Sequence, residues 1–523
     1  SLIISTLLLS TVQSAREPYK AFDPFPMPPE RPVPTLTSAQ QITLNTLLSL
    51  VNSQWQGCIV TSNATLLSQY AEDYGHTVHN VPNIVFQPKN SADVSLLVQK
   101  VYFLNSHRPA SAPVPVRIVT RGAGGNVLGA AQVLNDQSVL SLLLDMSVLT
   151  SVQLLPQSRS VWAEPGTTFL QVLKQAETIN MRPLVLPDYL GITIGGVESI
   201  GGWGGDSAVR GPCVEHVKEI EVVTSTGQIV LCSPSKNRRL FNAVRGGMGQ
   251  FGIMTRVRLN LEVNEPNTRV YHMISTSLDD LLGATKTVYR KLMTKRVRGQ
   301  VLVNTMQTFV LRNQEDSIRS FALFGNQDIL ASEVNQLVAH PQYHVYMLEL
   351  TTRFTSESEA LSMEQLIQKL GGVQFDLVYA LDMDTHSWDN RLELTSIPFL
   401  VMTQQWFKRH TWLNMFFTER DARRDLAPVL SNLTISDTGG GHIGLYPIHI
   451  DSVSKDTFVS IPNAGRVQRG EEWVYLLVLG RDESSDTEEG FLSQVNGNRI
   501  IWNQFSTVQD RRHRLVSSSV YPT

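Results

Sequence analysis

The chain has 523 residues, 42% of them hydrophobic and 17% charged, with a formal net charge of −3. That length predicts two or three domains with sizeable cores. The near-balanced charge gives no basic excess to concentrate nucleic acid or an anionic membrane, so nucleic acid is excluded as a partner.

Ser1 to Ser10 is apolar but too short to span a bilayer, so no stable membrane insertion is expected. Val12-Gln13-Ser14 resembles a signal-peptidase site, which makes residues 1–14 the remnant of a signal peptide. The sequons Asn63-Ala64-Thr65 and Asn432-Leu433-Thr434 agree with a secreted glycoprotein or one of the secretory lumen. Cys58, Cys213 and Cys232 allow one disulfide at most and have no metal-ligand spacing; no metal is expected. Phe22 to Thr35 carries six prolines and reads as an extended arm. Gln40 to Trp55 has helical spacing, as does Asp93 to Leu104, with Ser91 or Asp93 as the N-cap. The apolar strand Val116 to Thr120 runs into Arg121-Gly122-Ala123-Gly124-Gly125-Asn126. Successive backbone N–H groups in such a loop can form an anion nest. Asp145 lies about twenty residues on, but no helix follows the glycines, so the loop is not a dinucleotide fingerprint of the βαβ type. Thr168 to Thr178 reads as a helix, and Glu219 to Thr224 as a strand ending in the turn Ser225-Thr226-Gly227. From about Asn264 longer amphipathic stretches appear, Ser277 to Met293 and Ser356 to Leu370, and suggest a second, α+β domain.

The most informative stretch is Pro187 to Gly252. It holds Pro187-Asp188-Tyr189-Leu190-Gly191-Ile192-Thr193-Ile194-Gly195-Gly196, then Gly201-Gly202-Trp203-Gly204-Gly205, then Gly246-Gly247-Met248-Gly249-Gln250-Phe251-Gly252-Ile253. Glycine this dense between β-branched strands lets backbone approach a bound group closely. A flat dinucleotide with a charged pyrophosphate suits it, and one acid, Asp188, stands at its mouth. The pattern points to a flavin oxidoreductase with one positioned carboxylate.

The order of these motifs, with Arg210-Gly211-Pro212, resembles the flavin domain of the vanillyl-alcohol-oxidase superfamily. Within it the chain most resembles the cytokinin dehydrogenases. The similarity runs from about Pro82 to Leu261 and returns in His410-Thr411-Trp412-Leu413-Asn414 and Tyr446-Pro447. The resemblance implies an α+β, two-domain PCMH-type fold with an α+β substrate (cap) domain: an FAD-binding domain over 15–263, a substrate domain over 264–446, and a return to the flavin domain over 447–523. It implies FAD, held by Gly122, Ala123, Gly124, Gly125, Asn126, Asp188, Thr193, Ser199, Trp203, Ile253 and Tyr446. A small-molecule substrate gives up a hydride, and oxygen or a quinone-type acceptor reoxidises the flavin. Asp188 is the expected base for an amine substrate, since burial beside an apolar ring makes a carboxylate a better base. Arg298 and Trp412 are the expected substrate contacts. Each has a plainer reading: Trp412 as core, Tyr446 as a strand end, Arg298 as one solvated charge beside Lys291, Lys295 and Arg296.

Three departures from the family pattern stand out. Gly125 occupies the place of the histidine that bonds covalently to the flavin, so non-covalent FAD is expected. Arg298, in Val297-Arg298-Gly299-Gln300-Val301, stands where the family has a substrate-binding glutamate. The expected Pro-Gly-Gln segment that touches the flavin is not found before Thr523: either the sequence is a truncated record or that contact is lost. A cytokinin-like N-alkyl adenine or a related amine is the expected substrate. An alcohol or sugar oxidase of the same fold, and a flavin-binding protein with impaired catalysis, are the alternatives.

Overall fold

The computed structural model describes residues 31–499 except 52, 62, 128, 295, 298–299, 313–332, 335, 338, 340–343, 372, 434–437, 439–440, 455, 458, 460–471, 481–493 and 495. The expected signal segment, most of the proline arm, Arg298 and the C-terminal end lie outside the described residues.

Three main sheets carry the fold. The first orders Cys58–Val60, Val85–Gln87, Leu140–Asp145 and Val116–Arg121, the last three parallel. Every residue of Leu140–Asp145 is buried, as a strand covered on both faces must be. Helices Ser38–Val51 and Ser91–His107 pack on it through Leu47, Leu97, Val101 and Leu104. The second of these helices is capped by Asn90, which accepts from the backbone N–H of Ala92 and Asp93, and not by Ser91 or Asp93. Asp93 is buried instead and accepts from the N–H groups of Gln56 and Lys89.

The second sheet orders Val152–Leu155, Ser160–Ala163, Ile253–Val263, Val217–Val223 and Ile229–Cys232, with Met181–Pro183 paired to the end of Ile253–Val263. Helix Phe169–Glu177 lies on it, closed at its start by a capping box of Thr168 and Gln171.

The third sheet is antiparallel and seven-stranded: Leu377–Asp384, Asn267–Ser275, Val345–Phe354, Thr305–Leu311, Ile443–His449, Trp473–Leu479, Leu413–Thr418. Side chains alternate between its faces. One face, with Tyr271, Met306, Leu348, Leu445 and Tyr475, is closed by helices Leu278–Val288 and Met363–Leu370. The other turns His272, Gln307, Glu349, Arg353 and Tyr446 toward the first half of the chain. Two sequence expectations shift here. Ser356 to Leu370 is split into a 3-10 turn over Glu357–Glu359 and an α-helix over Met363–Leu370, each started by its own capping box, Ser356 with Glu359 and Ser362 with Gln365. The chain does not leave the substrate sheet near Tyr446: Ile443–His449 pairs with Trp473–Leu479, which also pairs with Leu413–Thr418. The expected start of the flavin-domain return at residue 447 is therefore too early, since the sheet's hydrogen bonds hold the chain through Leu479.

Buried ion pairs seal the two halves. Arg182, fully buried on Met181–Pro183, donates to both oxygens of Asp389 at 2.9 Å. Arg353 donates to Asp206 at 2.7 Å and to Glu262 at 3.3 Å. Burial disfavours the Arg353 charge, but Asp206, Glu262 and Asp389 more than offset it and push its pKa up.

Candidate active site

The two glycine clusters and helix Ile194–Ile200 meet. A Cβ on Gly122 would overlap Thr193 Oγ1, and one on Gly125 would stand 3.0 Å from Ile192 Cγ2. Gly246 and Met248 donate from their backbone N–H groups to the carbonyls of Glu198 and Ser199, each at 2.8 Å. Gly249, at φ +71°, comes nearest to Thr120 Oγ1. The first loop is anchored from behind. Tyr74 donates to the Gly124 carbonyl at 2.9 Å and Gly75 to that of Asn126 at 3.2 Å. Asp73 accepts from Gly129 N–H, Asn126 Nδ2 and Gly75 N–H. Burial pushes the Asp73 carboxyl up to about 6 despite those donors. Among the described residues, no acceptor takes the backbone N–H of Ala123, Gly124, Gly125 or Asn126. The loop thus offers consecutive free donors from a fixed backbone, the chemistry a pyrophosphate needs.

Asp188 lies about sixty residues further along the chain, at the junction of the halves. Arg391 Nη2 donates to Asp188 Oδ1 at 3.0 Å, and the Tyr446 hydroxyl donates to Oδ2. Burial pushes the Tyr446 phenol up, and the neighbouring Asp188 charge adds to that, so it remains a donor. The Arg391 guanidinium also lies over the Trp388 ring, 4.3 Å from its centroid. Asp188 lines a small open cleft with Leu186, Pro187, Thr305, Gln307, Trp388 and Arg391. Behind it Glu349 meets His272 Nε2 at 2.8 Å and takes Gln307 Nε2 as a further donor.

Comparison with known proteins matches this architecture on both halves. Residues 82–233 fit the family model of an FAD binding domain, and residues 286–511 that described as cytokinin dehydrogenase 1, FAD and cytokinin binding. Cytokinin dehydrogenase 3 of Oryza sativa subsp. japonica is 28% identical over 403 residues, covering 76% of this chain and 72% of the relative. Cytokinin dehydrogenase 5 of Arabidopsis thaliana is 26% identical over 413 residues, covering 78% and 71%. Among solved structures, alkyldihydroxyacetonephosphate synthase superposes with a TM-score of 0.64 at 12% identity, covering 96% of this chain and 88% of the other. 6-Hydroxy-D-nicotine oxidase from Arthrobacter nicotinovorans gives 0.59 at 14%, covering 89% and 90%. The chain thus carries, in order, an FAD-binding domain and an FAD- and cytokinin-binding domain of the cytokinin dehydrogenase type.

This cytokinin dehydrogenase-like protein is an FAD-dependent oxidoreductase with the α+β, two-domain PCMH-type fold. Its own geometry fits the cofactor, since the free N–H groups of 123–126 and the Cβ-excluding glycines form a cradle of the needed kind. Of the residues expected at the site, the Gly122–Asn126 loop meets Thr193 through Gly122, Ser199 meets the second glycine cluster through Met248, and Ile253 begins the strand that leaves that cluster. Trp203 packs edge-on against Phe416 at 5.5 Å, in the apolar cluster that also holds Tyr446. Trp412 does not line the Asp188 cleft. It sits edge-on to Tyr74 at 5.7 Å and to His442 at 5.3 Å, beneath the first glycine loop. Sequence reasoning missed Arg391, Glu349, His272 and Gln307. For Glu349, His272 and Gln307 the available signal was a charged or polar residue within an apolar strand, as in Tyr346-Met347-Leu348-Glu349-Leu350 and Val270-Tyr271-His272-Met273-Ile274; Arg391 lies outside the strands.

Proposed function

We propose that this protein oxidises an amine, a cytokinin-like N-alkyl adenine or a related compound, with Asp188 taking the proton from nitrogen. The observation that carries this reading is the Asp188 carboxylate lining the cleft, gripped on one oxygen by Arg391 and on the other by Tyr446. FAD, when bound, supplies the acceptor for the hydride that leaves the substrate carbon. Gly122 to Asn126 would hold its pyrophosphate, with Thr193 and Ser199 beside them. Arg391 and Tyr446 fix the direction of the Asp188 lone pairs, so the substrate nitrogen meets an oriented base. Leu186 and Trp388 are the apolar side chains beside Asp188 in an otherwise largely polar cleft.

Non-covalent attachment is part of the proposal. Gly125 has no side chain to bond, and a larger residue there would press on Ile192. Acid precipitation would leave all the yellow colour in the supernatant; colour in the pellet would refute it. Arg298, by resemblance alone, places a donor where the family has an acceptor, which favours a substrate with an anionic or acceptor group at that end. A secretory location is also proposed. Exposed Asn63 caps helix Ala64–Ser68 through Oδ1, which leaves Nδ2 for a glycan.

The deciding experiment is anaerobic flavin reduction against N-alkyl adenines, simple amines and sugars. Bleaching by amines supports the proposal. Bleaching by sugars alone would replace it with a sugar oxidase, and yellow protein that never bleaches would mark a flavin-binding protein without catalysis. Reoxidation by oxygen and by a quinone, run in parallel, identifies the acceptor.

A further inference from the structure

Gln307 carries an unexplained atom. Its side chain is buried, and Oε1 meets no donor among the described residues. Buried acceptors are normally paired, because leaving one unpaired costs its desolvation. The orientation of the amide is fixed. Nε2 donates to Glu349 Oε1, while Glu349 Oε2 faces His272 Nε2 at 2.8 Å. Burial pushes the Glu349 carboxyl up, but the His272 hydrogen bond and charge, the Arg391 charge and the Gln307 amide hold it below the usual carboxylate range. Turning the Gln307 amide over would set a carbonyl oxygen against a carboxylate. Oε1 therefore faces away from Glu349 and toward Gly205, 3.6 Å from where a Cβ on that glycine would sit. Gln307 and Gly205 both line the cleft that holds Asp188 and Arg391.

We infer that Gln307 Oε1 is a specificity-determining acceptor for a second N–H donor on the substrate, distinct from the nitrogen proton taken by Asp188. Glu349 and His272 are positioning residues that aim it. The substrate class narrows to amines with a further N–H near the oxidised carbon: primary amines, or amines attached to an N–H heterocycle such as a purine. Tertiary amines are excluded, since their only nitrogen offers no proton to either group. The inference rests on the amine reading above.

The test uses the FAD-loaded enzyme under anaerobic conditions. Benzyladenine is compared with its two N-methylated analogues, one blocked at the exocyclic nitrogen and one at the ring nitrogen, and with benzylamine and glucose. Calorimetry gives Kd and stopped flow gives the reduction rate. In the parent, methylation at the ring nitrogen should weaken binding about 10- to 100-fold, while methylation at the exocyclic nitrogen removes the proton that Asp188 takes. Gln307→Met, which has similar length and no acceptor, should bring that ratio close to one. Gln307→Asn keeps the amide but withdraws it by one methylene. It should give an intermediate ratio and serves if the methionine variant folds poorly. Equal binding of all analogues by the parent, or a parental ratio in both variants, would overturn the inference and leave the amine reading standing. Reduction by glucose with no binding of any amine would overturn both.

Discussion

The flavin side of the site is made of backbone, and the substrate side is made of side chains. On the first, Gly122, Gly125, Thr193 and the Gly246–Gly252 turn approach so closely that a single added Cβ at Gly122 has no room. On the second, Asp188, Arg391, Tyr446, Glu349 and Gln307 reach toward one another from the loop after Met181–Pro183, the segment after Thr385–Asp389, and three strands of the large sheet. A backbone cradle recognises a group common to many enzymes and tolerates little change. A side-chain cleft can be altered one residue at a time, which is where substrate preference is expected to reside. The two should therefore fail differently when mutated.

The largest effect is expected from Asp188→Asn. The amide keeps the shape but cannot take a proton, and loss of a general base costs about 10²- to 10⁴-fold. Stopped-flow reduction should fall by that amount while the flavin content stays at the parental level. A variant that lost its flavin instead would merge the two sides of the site and refute their separate roles.

Next comes the seam that joins the halves. Arg182→Leu removes both hydrogen bonds to Asp389 and leaves that carboxylate buried without its partner. Breaking a buried pair from one side costs about 3–5 kcal/mol. Thermal unfolding should show a large fall in Tm, and the paired change Arg182→Leu with Asp389→Leu should recover much of it. A single variant with parental stability would mean that the halves are held by apolar contact alone.

Gly122→Ala probes the cradle itself. Its methyl group must displace Thr193, so FAD affinity should fall by about tenfold, the equivalent of roughly 1.4 kcal/mol. Fluorescence titration of the apoprotein gives the Kd. Once the variant is saturated with FAD, its reduction rate should remain near parental. A slowed rate at full occupancy would show that the cradle also sets the chemistry.

The contrast explains what the sequence disclosed. The glycine loops and Asp188 were legible because their signal is local: short runs whose composition has few other uses. Helix Phe169–Glu177 was legible for the same reason, through Thr168 and the apolar positions that follow it. Arg391 and Tyr446 stand 203 and 258 residues from Asp188, and only the sheet order brings them to it. Tyr446 entered the expected site through the family resemblance, with no local signal of its own. Glu349 and His272 meet by strand register, a property that no short segment carries. The continuation of the sheet through Leu479 escaped for that reason too, since Trp473–Leu479 is an apolar run that would suit either domain.

The smallest effect, and the one that links the cradle to the core behind it, concerns Glu198. Its carboxyl is fully buried on helix Ile194–Ile200, and neither oxygen has a partner among the described residues. Burial is the main cause that pushes it up to about 8; Arg245 pulls it down and Glu215 adds to the rise. In the unfolded chain a glutamate titrates near 4.3. The folded form therefore keeps a proton that the unfolded form releases. The contribution of this group to stability is complete below about pH 4.3, declines as pH rises, and is lost by the time pH passes about 8. Glu198→Gln keeps the neutral shape and has no proton to lose. Relative to the parent, its Tm should gain a few degrees on going from pH 5 to pH 8. Since the Glu198 carbonyl receives the Gly246 N–H, the parent should also release FAD more readily at pH 8 than the variant does. A parallel pair of Tm curves across that range would show that Glu198 ionises alike in both states, and would remove it from the account of the cradle's stability.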